Sequence, residues 1–189
     1  SLSPTPPAFA ALRGFQGNGT SARIDLGVPA SALTRYTQSA SHIAFYVQQG
    51  DGSTNLWTGA DDSGSGFSSL VVSGTTTSAD FRLQTGSVAN SMIQGGQSGL
   101  HIADRQSSTL ASWMRNGVDT ESNKSVTTAI SVSTSNLTAL ARNTSGSFSS
   151  HSGSRLAMIS VGGTLGASGR AAISMVTNAY MTSVGANTY

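Results

Sequence analysis

The chain has 189 residues, ten basic and eight acidic side chains, a formal net charge of +2 and no cysteine. Its charged fraction of 10% lies far below the roughly 25% of an average soluble domain, and its charges are scattered singly, which excludes the basic face of a nucleic-acid binder. Disulfides and thiolate metal sites are excluded too, no apolar run reaches the ~18 residues of a membrane-spanning helix, and one ordinary core fits this length.

The opening SLSPTPPAFA begins without Met and carries Pro4, Pro6 and Pro7. Residues 1–12 are expected to be a stiff extended lead-in from a longer protein, followed by a single domain over 13–189. Within GFQGNGTSARIDLG, Ala22, Ile24 and Leu26 alternate with polar residues, and His42 to Val47 is a continuous β-prone run. Turn residues then punctuate GDGSTNLWTGADDSGSG around a short strand, Asn55 to Thr58. Further strands are expected over Ser69–Ser73, Asp80–Gln84, Gly99–Arg105, Thr109–Arg115, Val118–Ser122, Ala129–Val132 and Leu137–Arg142.

In SWMRNGVDTES, Asn116-Gly117 sits between two extended runs. A type I′ turn requires φ > 0 at both central residues, and Asn-Gly supplies it most readily. A two-residue loop pairs Arg115 with Val118 and Trp113 with Thr120. Ala111, Trp113 and Val118 then share one face, read as the core face, and Leu110, Met114, Asp119 and Glu121 share the other, read as solvated.

The tail departs from this pattern. From about 168 to 184, SGRAAISMVTNAYMTSVG places Ile173, Val176, Tyr180 and Val184 on one helical stripe, with Ser168 as N-cap and Gly185 as the stop. Short strands at regular spacing with a terminal amphipathic helix predict an all-β fold: a two-sheet antiparallel β-sandwich or jelly roll with the helix docked on it.

Three segments, in order, resemble the concanavalin A-like lectin/glucanase superfamily in its laminin-G-like form. GFQGNGTSARIDLG is similar to the opening strand pair of such domains and LASWMRNGVDTES to their mid-domain hairpin. ALARNTSGSFSSHSGSRLAMISVGGTLGASGRAAISMVTNAYMTSVG is similar to their closing strands and short helix. The resemblance covers most of Phe15 to Gly185, while residues 50–99 do not match closely. The closing section also resembles domains at the C-terminal ends of phage and prophage tail or surface proteins, which implies a virion-surface or extracellular setting.

The enzymes of that superfamily carry a Glu-x-Asp-x-Glu strand. Glu121 is the only glutamate here, so the motif is absent. His42, His101 and His151 accompany no nucleophile elbow and no metal-ligand spacing. The chain is therefore expected to be non-enzymatic. Trp57 beside Asn55, Asp61 and Asp62 offers what a pyranose needs, an aromatic face for its C–H surface and polar groups for its hydroxyls, although Trp57 could equally be core. Arg142, Asn143 and His151 are further polar candidates. Asp51, Asp61 and Asp62 could hold calcium through loop oxygens, but Asp-Gly turns are also ordinary hairpin chemistry, and no cofactor is expected.

The expected function is a glycan-binding or adhesion module recognising a polysaccharide or cell-surface glycan through rim loops, as a homo-oligomer or part of a larger assembly. The alternatives are a structural virion or adhesin module, and the carbohydrate-binding domain of a larger secreted polysaccharide-degrading enzyme.

Overall fold

In the computed structural model, which describes residues 5–52, 56–62, 67–72, 78–84, 90–93, 98–126 and 131–188, the alternating runs become short strands in two facing sheets. The described strands of the first sheet run in the order β1 (Ala8–Ala10), β2 (Gly14–Gln16), β15 (Arg155–Gly162), β4 (Ser41–Gln49), β9 (Gly99–Arg105), β10 (Leu110–Arg115) and β11 (Val118–Ser125). Those of the second run β14 (Ser147–Ser149), β13 (Arg142–Thr144), β5 (Leu56–Asp61), β6 (Phe67–Val72), β7 (Ser78–Leu83) and β8 (Asn90–Ile93). A side branch adds β12 (Asn136–Ala139), which joins β3 (Ile24–Pro29) to β5. All pairings are antiparallel except the single contact of β13 with β5. The chain is a β-sandwich of jelly-roll type with one C-terminal helix, α1 (Gly166–Ser183), as the strand spacing predicted.

The core explains why β4 reads as an unbroken apolar run. Ile43, Phe45 and Val47 point into the sandwich, where they meet Trp113 and Leu156 of their own sheet and Leu56, Leu83 and Leu137 of the other. The alternate residues Ala44 and Tyr46 point outward, joining Leu100, Ile102, Met114, Met181 and Ala186 beneath α1. A strand covered on both faces has no polar phase to show. Each large apolar side chain so buried contributes about 1.5–3 kcal/mol, and Trp113 is fully enclosed.

The Asn116-Gly117 turn forms with positive φ at both residues, 49° and 81°. Arg115 faces Val118 as expected, but register shifts on both sides of Trp113 set it opposite Glu121 instead of Thr120. Val118, assigned to the core face, is 64% exposed. Met114, assigned to the solvated face, is buried because α1 covers that side.

Two further expectations are corrected at the helix. Its start is not capped by Ser168. The buried carboxylate of Asp104 on β9 accepts bonds from Thr164 Oγ1 (2.9 Å), Leu165 N (3.0 Å) and Gly166 N (3.1 Å), so the cap comes from the sheet. Its fully buried stripe is Arg170, Ser174, Thr177 and Met181; of the expected stripe, Ile173 and Val184 pack against the cluster beneath the helix, whereas Val176 and Tyr180 are 63% and 58% exposed. The helix ends as read: Gly185 takes φ 63°, its N–H donates to Thr182 O (3.0 Å), and Ala186 N–H donates to Met181 O (2.8 Å). That pair of bonds is a Schellman motif.

Residues 8–10, inside the stretch read as a lead-in, form β1 and pair with β2. Of the expected strand Ala129–Val132, Ala129 and Ile130 lie outside the described residues. The run Leu137–Arg142 is broken at Leu140, whose φ is 66°, and this break separates β12 from β13.

Candidate functional site

The break at Leu140 shapes the outer face of the second sheet. Before it, β12 lies antiparallel to the middle of β5, with Thr138 opposite Gly59. After it, β13 runs parallel to the end of β5, with Thr144 opposite Asp61. β13 then folds back on β14 through Ser145 and Gly146, both at positive φ (49° and 89°), pairing Arg142 with Ser149 and Thr144 with Ser147. Residues opposite one another in a sheet share a face, so Asp61, Arg142, Thr144, Ser147 and Ser149 form one polar patch. Leu56 and Ala60, at the alternate positions of β5, belong to the core.

An ion pair sits at the centre of this patch. Arg142 Nε donates to Asp61 Oδ2 at 3.0 Å; the carboxylate is wholly buried and the arginine side chain 31% exposed. Ser147 and Ser149 are exposed beside it. Asn143 points the other way and is buried, donating to Asn136 O (2.7 Å) and accepting from Gly146 N (2.9 Å). Its role is to hold the hairpin. The guanidinium of Arg23 lies 3.6 Å from the ring centroid of Phe148, a cation–π contact that steadies β14.

Asp62 takes a different partner set from its neighbour Asp61. It accepts from Ser133 Oγ (2.9 Å), from Thr134 N (2.5 Å) and Oγ1 (3.0 Å), and from Ser135 N (3.2 Å) and Oγ (2.5 Å). Burial pushes its carboxyl up, but the bonds from Ser135, Thr134 and Ser133 outweigh this and leave it below its ordinary 3.8. Asp51 is bound elsewhere, by Gly153 N (2.8 Å) and Ser152 Oγ (3.2 Å). The three carboxylates considered for calcium therefore take separate partners: the Arg142 guanidinium for Asp61, residues 133–135 for Asp62 and residues 152–153 for Asp51. Among the described residues, no group of three or more His, Asp or Glu side chains is arranged to hold a metal ion.

The other candidates separate likewise. His151 is half-buried, with Nδ1 donating to Ala22 O at 3.4 Å. Asn55 lies outside the described residues. Trp57 occupies β5 with its backbone opposite Val71, four positions before Asp61, and its side chain lies outside the description. Asp119, read as solvated, receives both Nε (3.1 Å) and Nη2 (2.9 Å) of Arg170. The structure thus pairs Arg142 with Asp61 at the end of the strand that carries Trp57, while Asn143, Asp62 and Asp51 bond to other segments of the chain.

Sequence reasoning missed Thr144, Ser147 and Ser149. The available signal was the Ser145-Gly146 dipeptide between the runs RNT and SFS, a hairpin mark hidden in a chain rich in both residues.

His42 is also held firmly: Nδ1 contacts Gly163 O at 2.6 Å and Nε2 contacts Ser160 Oγ at 2.9 Å. Nδ1 meets a carbonyl and not a carboxylate, so no Ser-His-Asp relay forms here. Burial holds the imidazole below its ordinary 6.5.

This architecture is a two-sheet antiparallel β-sandwich of jelly-roll type. The chain is similar to the CBM40 of the Ruminococcus gnavus IT-sialidase, in a structure bound to alpha2,3 sialyllactose, at TM-score 0.54 and 12% identity, covering 87% of this chain and 100% of that one. A second structure of that CBM40 gives 0.51 and 11% with the same coverage. No family model and no curated protein matches the chain.

Proposed function

We propose that this domain is a non-catalytic glycan-binding module whose binding surface is the outer face of β5, β13 and β14. The observation that carries the proposal is the register that sets hydroxyls of Thr144, Ser147 and Ser149 around the Arg142–Asp61 pair, on the strand that also bears Trp57. Sugars are bound by such mixtures of fixed polar groups and an aromatic face. The shared fold with a module solved in complex with sialyllactose supports the same class of ligand.

Among the described residues, the patch offers polar groups for holding a glycan, and its carboxylate, Asp61, is engaged by Arg142. Glycoside hydrolysis needs two carboxyl groups about 5–10 Å apart across the sugar. Here Asp61 is buried against Arg142, and Asp119 is taken up by Arg170. Placement on a phage-type tail or another extracellular surface follows from the likeness of the closing section and belongs to the proposal. A wholly structural role in such an assembly is the second reading, favoured by the exposed apolar side chains of α1.

A glycan array probed with the full chain and with Trp57→Ala separates the two. The proposal expects a bounded set of positive glycans that disappears in the variant. A blank array for the folded wild-type chain favours the structural reading.

A further inference from the structure

We infer that two copies of this chain associate through the bare edge of β15, antiparallel about a two-fold axis, so that their first sheets join into one. β15 pairs with β4 over its whole length, Arg155 to Gly162. On its other edge β2 reaches only Arg155 and Leu156. Among the described residues, no strand pairs with the far side of Ala157–Gly162, and these residues are half-exposed where those of β4 are buried. An open edge presents unpaired N–H and C=O groups, and natural sheets blunt it with Lys, Pro or inward charges. AMISVG carries none of these.

Apolar hollows flank the edge on both sides. Outside, between β15 and α1, a cavity of about 320 Å³ is lined by Met158, Ser160, Ala172, Ile173, Val176 and Thr177. A second of about 250 Å³ continues along Val176 to Tyr180. Inside, about 210 Å³ lies between Phe15, Ile24 and Ala157–Ile159. Beside them Val176 and Tyr180 stand 63% and 58% exposed. Contiguous apolar surface of this kind marks an interface, and the hydrogen-bonding edge between the hollows specifies a β-strand as the occupant.

A second copy is the strand the charges favour. An isologous contact sets one patch against the same patch of the second copy, so a patch bearing a single sign of charge would repel its counterpart. From Leu156 to Tyr189 the only charged side chain is Arg170, and it is buried against Asp104. Two identical edges run antiparallel are also self-complementary in hydrogen bonding. The polar patch of β5, β13 and β14 lies on the other sheet and stays open, so the dimer would present two glycan sites and gain avidity.

Sedimentation velocity of the full chain across the micromolar range is expected to give the mass of two chains. Val176→Lys with Tyr180→Lys, both at exposed positions, is expected to give the mass of one with an unchanged circular dichroism spectrum. Because the chain lacks cysteine, single substitutions to Cys at Ala157, Met158, Ile159 and Ser160 report the geometry directly. At least one is expected to yield an oxidised cross-linked pair, and Ser147→Cys on the other sheet none. A single-chain mass at every concentration, a dimer that survives the lysines, or cross-linking at Ser147 but not along β15 would each overturn the inference. So would a monomer whose edge instead captures an extended peptide of different sequence.

Discussion

Asp104 and Arg170 are both buried and meet at 2.9 Å, one on a central strand of the first sheet and the other one turn into α1. The carboxylate also accepts three bonds from residues 164–166, and the guanidinium also holds Asp119 through Nη2 at 2.9 Å. A helix with a weakly apolar buried stripe is thus fixed to the sandwich by charge at its start and by Met181 and Ala186 at its end.

Removing one partner of this pair strands the other in the interior. Arg170→Ala and Asp104→Ala are each expected to cost about 3–5 kcal/mol, read as a lowered urea midpoint with an unchanged slope. Asp119→Ala removes a carboxylate that is 28% exposed and is expected to cost distinctly less. Equal losses for Asp104 and Asp119 would contradict this ordering.

Trp113 answers to packing alone. Its ring fills the core and lies 5.5 Å from that of His101, so Trp113→Ala is expected to cost about 3–5 kcal/mol in a denaturant titration. The folded fraction of that variant should bind glycan as the wild type does.

Acid is expected to destabilise the domain in two stages. His42 is held below its ordinary 6.5 by burial, so protons bind the unfolded chain more readily, and stability falls as pH drops through 6.5 toward the folded value. Asp62 is held below its ordinary 3.8, so its contribution is complete above that value and is lost as pH falls below it. Melting temperature against pH for His42→Gln should lose the first step alone, and for Asp62→Asn the second alone. A wild-type curve flat from pH 7 to 5 would contradict the His42 assignment.

The sandwich was legible because its strands alternate or run apolar between turn residues, and the Asn116-Gly117 turn because only left-handed conformations close it. The face assignment around Trp113 was half legible: the indole was placed correctly, but nothing local announces that α1 covers the opposite side and buries Met114. The helix start was read at Ser168 by a local rule, whereas the cap is Asp104, more than sixty residues away in sequence. Val176 and Tyr180 mimic a buried stripe because they hold the helical period, yet the stripe that docks carries Arg170 and Thr177, whose burial depends on partners in the sheet. At the candidate site, Asp61 and Arg142 were both named. Their pairing was not, since it depends on a chain reversal at Leu140 that no turn residue marks.

The most direct test of the account is titration calorimetry of the folded chain with an array-positive glycan, beside Trp57→Ala, Arg142→Ala and the remote control Lys124→Ala. The account predicts saturable binding by the wild type and the control, weakened at least about tenfold, or about 1.4 kcal/mol, in each of the other two, measured below the melting temperature, which Arg142→Ala lowers by taking the guanidinium from the buried Asp61 carboxylate. Binding that both Trp57→Ala and Arg142→Ala leave intact would place the glycan elsewhere and contradict the account.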